Sequence, residues 1–488
     1  LFTRKAKFSY EPSASLGTAL ADLSHKGMML SWVTHWLPEA KPARERERIE
    51  LELENIPAFE PEEYMPPESS QRMEVRLFYV VGTVASPDEY WREESRNWQK
   101  GLEKFMRKAG TALVEAKKAV AGIDDPAAKV RALYARAQEI KNLSYDKTMT
   151  SRKRKELGIS DNHSVADVLK NNYGLRSDIT RTFASMAKAA GFQARVVRVA
   201  TRDDKLFDQN LCGLYSQFDS ELAVVQVNGT DRFYDPATPH CPPGLVRWNC
   251  SSTTLLYPAD EPPLFVKTPP GPSEQALTRR EIVLRLDAEG SLAGTVKVHF
   301  GGQEGLGRRL AHLDDDDVEV KKDLESELAD ILPSGAKVSL QKVENLKNSA
   351  DEVLAAFDVA LPELATRAGD RTLLPVSPLL GLKQYPFQHA QRKYPVSFPY
   401  PYWVSDDIVI TLPDGMKVET VPAPRSERGD WFNYSLACTA ENGTALHVKR
   451  EFRLQKCDYT VLQYGAVRAF FDRVRAADEE QVVLAPGK

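Results

Sequence analysis

The chain lacks a dominant charge of either sign: 65 Lys and Arg face 69 Asp and Glu over 488 residues, a formal −4. Nucleic acid, which is gripped mainly through its phosphates, is therefore not an expected partner. Long apolar runs are missing as well. No stretch approaches the ~18 uninterrupted apolar residues of a membrane-spanning helix, so no transmembrane segment is expected in this chain. Cysteine is scarce, and the five present (Cys212, Cys241, Cys250, Cys438 and Cys457) are odd in number with no paired CxxC spacing. That excludes a disulfide framework and a zinc ribbon. Cys241 and Cys250 flank a Pro-Pro-Gly turn where a bridge is conceivable, but isolated buried thiols are the favoured reading. His25, His35, His163, His299, His312, His389 and His447 are scattered without metal-ligand spacing, so neither a metal nor a cofactor is expected.

A hydrophobic content of 42% is enough for buried cores and excludes pervasive disorder. At roughly 100–200 residues per domain, the length suggests about three domains. Leu1 is not an initiator methionine, so the expectation is that chain precedes it, and a removed signal peptide is compatible with that.

The first part alternates β-type runs with turns. Lys7–Tyr10, Arg48–Glu54 with period-2 alternation, and Met73–Val81 predict strands, and the proline-rich 55–67 predicts an extended connector. From Pro87 the spacing turns helical through Trp91, Trp98, Leu102 and Phe105. Helical character continues over 112–140 with a break at 122–126, then over Val165–Asn171 and Ser177–Ala190. Strands follow at 193–198, 221–227 and 231–234, the last two joined by the hairpin signal Asn228-Gly229. After a Pro/Gly-rich linker at 262–272, strands at 280–286 and 295–300 and a charged helix near 316–331 precede hairpins at 408–454 that suggest a sandwich, closed by a helix at 464–477. The Gly-rich 301–307 lacks a phosphate-loop pattern and reads as a turn. Asp314–Asp317 lacks a calcium-loop layout and reads as a solvated helix start. The aromatic strip 394–403 reads as a domain edge.

The order Tyr173-Gly-Leu-Arg-Ser-Asp178, a helix ending near Gly191, the strand from Glu221, and Tyr234-Asp-Pro236 resembles the bacterial transglutaminase-like superfamily, which has a papain-like core. The resemblance implies an α+β fold: a central transglutaminase-like domain flanked by antiparallel β-domains. The stretch ending at 55–67 resembles the end of a β-domain of unknown function that precedes such domains, and 394–484 resembles the β-domain that often follows. The expected divisions are a partial N-terminal β-domain at 1–84, a helical segment plus transglutaminase-like domain at 85–262, a β-region with a helical insertion at 263–390, and a sandwich-like region with a terminal helix at 391–488.

Active members of that family carry Cys at the start of the helix, His on the next strand and Asp before a Pro. Helix dipole and backbone donors activate the thiol, His takes its proton, and Asp orients the imidazole. Here the family's Tyr-Gly-Asp-Cys-Lys-Asp falls on Tyr173, Gly174, Leu175, Arg176, Ser177 and Asp178. The nucleophile position is Arg176, the His position is Glu221 within about two residues, and only Asp235 keeps its identity. A guanidinium stays protonated and cannot attack a carbonyl, so no catalytic residue is expected.

For Arg176, Glu221 and Asp235, an internal ion pair is favoured over a ligand-binding charge cluster. Ser177 and Asp178 are expected as an N-cap with dipole compensation rather than a nucleophile and base. Tyr173, Ser177, Asp178, Cys212, His240 and Cys241 are the residues expected around the old cleft. The implied function is a degenerate, non-catalytic binding or scaffolding protein of the bacterial envelope, periplasmic or extracellular, for a polypeptide or cell-surface ligand. The alternative is a cysteine-dependent amidase, peptidase or transamidase whose nucleophile has moved to Cys212 or Cys241 beside His240. A third reading makes the middle domain a spacer between β-modules.

Overall fold

The computed structural model describes residues 2–11, 28–35, 42–45, 48–81, 86–107, 110–212, 215–261, 263–377, 386–387 and 389–487. His25 lies outside them. The chain forms two compact units, one of Leu1–Thr238 with Asn249–Pro269, the other of Pro239–Trp248 with Pro270–Lys488. No helix among the described residues is long and apolar enough to cross a membrane.

The first unit opens with β1 (Thr3–Tyr10), β2 (Met28–His35), β3 (Ala43–Glu45), β4 (Arg48–Ile56) and β5 (Glu74–Val81). The period-2 alternation of β4 puts Ile49, Leu51 and Leu53 on its buried face. β4 pairs antiparallel with β1 and β3, and β2 with β5. Helices α1 (Pro87–Met106), α2 (Gly110–Ala119) and α3 (Pro126–Gln138) follow. Ser86 and Asp125 cap α1 and α3 through side-chain oxygens, each ahead of a proline at the first helical position, where a missing N–H costs nothing.

Then come β6 (Lys141–Asn142), α4 (Ser151–Glu156), α5 (Val165–Asn171), β7 (Tyr173–Gly174), α6 (Arg176–Ala189), β8 (Ala194–Val199), β9 (Ser220–Val227), β10 (Thr230–Tyr234), β11 (Thr254–Leu256) and β12 (Phe265–Lys267). The β9–β10 hairpin turns at Asn228-Gly229, both at positive φ as a two-residue primed turn requires. The sheet order is β10-β9-β8-β11-β12. Phe183, Ala184 and Ala187 of α6 pack on Val196, Ala223 and Val225 of this sheet to make the core. The expected linker at 262–272 holds the edge strand β12, paired to β11. Three-residue strands carry too little alternation to stand out beside prolines.

In the second unit β13 (Leu277–Leu286), β14 (Leu292–Phe300), α7 (Gly302–Ala311), α8 (Asp317–Ile331), β15 (Lys337–Glu344), β16 (Val353–Leu361), β17 (Thr366–Ala368), β18 (Arg371–Pro375), β19 (Val396–Ser397), β20 (Tyr402–Thr411), β21 (Met416–Thr420), β22 (Arg425–Arg428), β23 (Phe432–Glu441), β24 (Ala445–Leu454), β25 (Asp458–Tyr459), α9 (Tyr464–Asp478) and β26 (Gln481–Pro486) succeed one another. One eight-stranded sheet runs β15-β16-β14-β13-β20-β24-β23-β22, and a four-stranded one runs β17-β18-β26-β21. β13 and β20 are parallel, with Ile282 opposite Ile408, so a single sheet crosses the division expected at 390/391. Val467, Phe470, Phe471 and Val474 of α9 join the core built on these strands, and Phe470 stacks on Phe432 at 4.4 Å.

The turn expected at 301–307 is instead the start of helix α7. Two of its glycines pack against backbone: a Cβ on Gly302 would stand 1.9 Å from the Gln275 carbonyl oxygen, and one on Gly305 2.6 Å from that of Phe300. Close approach outweighs the ~1 kcal/mol helix penalty of each glycine. The aromatic strip at 394–403 is largely absorbed into the core through Phe398 and Tyr402.

Candidate functional site

The start of α6 is set by what precedes it. Asn172 ends α5 in the left-handed conformation (φ 53°), and Tyr173–Gly174 pair in parallel with Lys141–Asn142, which keeps them extended. The helix can therefore begin only after Leu175, and Arg176 is its first residue. The N-cap position is Leu175, not Ser177, which lies inside the first turn. Asp178 performs the capping by accepting the Leu175 N–H at 3.0 Å, and Asn162 Nδ2 stands 3.5 Å from the same oxygen. Burial pushes the Asp178 carboxyl above its ordinary value against these donors. The Tyr173 hydroxyl donates to the Ser160 carbonyl.

Arg176 donates its backbone N–H to Ser144 Oγ at 3.0 Å, and the residue is half-buried. It forms no ion pair among the described residues. The expected pairing of Arg176 with Glu221 or Asp235 is thus replaced by another: Arg181 Nε donates to Glu221 Oε2 at 2.9 Å and Arg181 Nη2 to Oε1 at 2.5 Å, while the Trp98 indole N–H donates to Oε1 at 3.1 Å. At about 100° per residue, Arg176 and Arg181 are turned about 140° apart around α6, so the two cannot face β9 together. Glu221 is 9% and Arg181 20% exposed. Burial opposes the charge on Arg181, and the bonds to Glu221 outweigh it, so the guanidinium is held above its usual value. Arg181 and Trp98 were not expected at the site. The signal available was a lone Arg within an otherwise apolar or small-residue stretch of α6.

Asp235 is fully buried, with its Oδ2 accepting from Thr238 Oγ1 at 2.8 Å. Its carbonyl accepts the Tyr134 hydroxyl of α3 at 2.8 Å, and Asn142 of β6 bonds the neighbouring Ala237 carbonyl. The aspartate loop is thereby fastened to the helical layer.

The thiols lie inside the fold. All five cysteines are buried and none forms a disulfide, so no Cys241–Cys250 bridge exists. Cys212 packs against Phe78 and Leu211, and burial, helped by Asp208, pushes its thiol up to about 11. Cys241 is fully buried beside Leu245 and Leu306, with Sγ 3.4 Å from the Leu245 carbonyl. His240, at φ 55°, belongs with Cys241 to the second unit, whereas Cys212, Arg176, Glu221 and Asp235 belong to the first. Burial, Arg309 and Lys347 all depress the His240 pKa.

Residues 115–227 match the transglutaminase-like superfamily, and residues 370–484 match a domain of unknown function, DUF3858. The chain therefore carries a transglutaminase-like domain followed by a DUF3858 domain. No curated protein matches the sequence significantly. A solved structure from Parabacteroides distasonis ATCC 8503, described as a "putative protease", is 13% identical, with a TM-score of 0.50 over 99% of this chain and 72% of its own. That likeness supports the fold: α+β, with a transglutaminase-like domain and several antiparallel sheets.

Proposed function

We propose that this chain is a non-catalytic transglutaminase-like protein, a binding or scaffolding module for a polypeptide or cell-surface ligand of the bacterial envelope, periplasmic or extracellular. The observation that carries the reading is the occupancy of the old site: Arg176 opens the helix where the nucleophile would stand, and Glu221 is tied to Arg181 and Trp98. A guanidinium has no lone pair to offer, and the Glu221 carboxylate is already occupied by three donors. Burial speaks against a replacement among the thiols, since it raises that of Cys212 and so disfavours the thiolate, and Cys241 is fully buried. The envelope placement follows the resemblance to secreted and periplasmic proteins of similar arrangement.

The test combines turnover with thiol counting. The full chain is incubated with a fluorescent primary amine and casein, and with peptide amide substrates, before and after iodoacetamide. No amine incorporation or hydrolysis is expected, and Ellman's reagent should react with the five cysteines only after unfolding. Turnover abolished by alkylation would establish the relocated-cysteine enzyme instead.

A further inference from the structure

The second unit holds a group of side chains that the proposed function leaves unused. His312 follows the last turn of α7, Asp315 lies in the connection to α8, and Asp323 sits in the second turn of α8. One ligand atom from each lies within 4.8 Å of the others. The imidazole is 94% buried, since His312 is only 6% exposed, and its Nδ1 stands 2.9 Å from Asp315 Oδ2. Its only side-chain bond among the described residues points into this group.

Ordinary helix chemistry explains part of the acidic run and stops short of these three. Asp316 is committed as the N-cap of α8, accepting from the Val318 and Glu319 N–H groups, and Asp317 and Glu319 face the positive end of the dipole in the first turn. Asp323 is beyond that turn, where the dipole has faded. Among the described residues no Lys or Arg pairs with Asp315 or Asp323, and the Asp323 carboxylate makes no hydrogen bond. Lys321, on the same helix, is turned to Glu325 instead. One carboxylate without a partner, Asp323, and a second held only by the buried imidazole form an arrangement that a cation would complete.

We propose that His312, Asp315 and Asp323 form a binding site for a divalent first-row transition-metal cation of the zinc type, which clamps the α7–α8 corner. An imidazole nitrogen with two carboxylate oxygens suits such a metal, whereas calcium prefers six or more oxygens and avoids nitrogen. Bonds of about 2.0–2.2 Å place ligand atoms about 3–4 Å apart. The His312–Asp315 pair already has that spacing, and the exposed, uncommitted Asp323 lies within 4.8 Å of both. Three protein ligands leave room for water, so the site is open on its solvent side.

The full chain, stripped with a chelator, is titrated with zinc chloride by calorimetry and with cobalt chloride by visible absorption. One equivalent with nitrogen-bearing cobalt bands is expected, together with a zinc-dependent rise in Tm. Asp323→Asn, on the surface, should weaken binding at least about tenfold while leaving the Tm of the metal-free chain unchanged. His312→Gln should remove the nitrogen signature, and Asp315→Asn provides a second partly exposed ligand loss should His312→Gln not fold. Absence of binding, equal binding by wild type and Asp323→Asn, or calcium binding as tightly as zinc would each overturn the assignment.

Discussion

The pair Arg181–Glu221 should be one of the larger single contributors to the stability of the first unit, and the size of its effect can be worked from its surroundings. Two charged bonds join the side chains, Glu221 is 9% exposed, and Trp98 adds a third donor. At an effective dielectric of about 20, charges 4 Å apart attract by about 4 kcal/mol, and desolvation of both ions cancels much of that. Arg181→Ala is expected to cost about 3–5 kcal/mol, because it strands a buried carboxylate on one indole N–H. Glu221→Gln keeps the shape and leaves one donor fork poorly matched, so about 2 kcal/mol is expected. The double replacement Arg181→Met/Glu221→Leu should recover most of the loss, since an apolar pair of similar volume leaves nothing unpaired. Native-state hydrogen exchange of β9 amides in the full chain reads the opening free energy of this unit by itself. A cost below about 1 kcal/mol for Arg181→Ala, or a double variant no better than the worse single one, would refute the view that this pair is a structural replacement for a catalytic couple.

A second ionic network lies under the second unit's large sheet. Arg450 makes two bonds to Asp478 (2.7 and 2.8 Å), Arg280 Nε bonds Asp406 at 2.6 Å, and the Tyr434 hydroxyl bonds Asp478 at 2.8 Å. Asp478→Ala should cost about 3–5 kcal/mol and Tyr434→Phe about 1.5–3 kcal/mol in urea unfolding, and equal effects would mean that the Arg450 contact contributes little. His240 supplies a pH test. Its folded pKa lies below the ordinary 6.5, so the unfolded chain takes up the proton first as pH falls. Stability is unaffected above that value, drops from there down to the folded pKa, and is flat below it. His240→Asn, which tolerates the positive φ, should narrow the Tm gap between pH 7.5 and 5.5, and an unchanged gap would count against the half-buried, cation-flanked setting.

What could be read from sequence was local. Asn228-Gly229, the turn to helical spacing at Pro87 and the Gly191 stop are short-range chemistry, and the elements stand where those residues put them. The parallel pairing of β13 with β20 was not legible, because more than a hundred residues separate strands whose alternation fits either neighbour equally well. Gly301–Gly307 misled for a related reason. Glycine there answers to the backbone of Gln275 and Phe300 across the fold, whereas local propensity answers only to solvent and turn.

The site followed the same division. Sequence placed the helix start one residue late, at Ser177, and the strand at 221 where β9 begins at Ser220, because each is announced by nearby Gly, Pro or alternation. It did not identify the partner of Glu221, which depends on which face of α6 meets β9. The consequence for chemistry follows from the position of Arg176. The first residue of a helix stabilises an anion and disfavours a cation by about 0.3–1 kcal/mol, so a thiolate there is assisted and a guanidinium is not. Asp178 lies in the same turn, and its carboxylate is bonded to the Leu175 N–H rather than to Arg176. Arg176 is therefore carried against the local field, with part of its side chain in solvent and no ion pair among the described residues. An anionic group brought by a ligand would supply the missing partner of Arg176, which is what supports the proposed binding role.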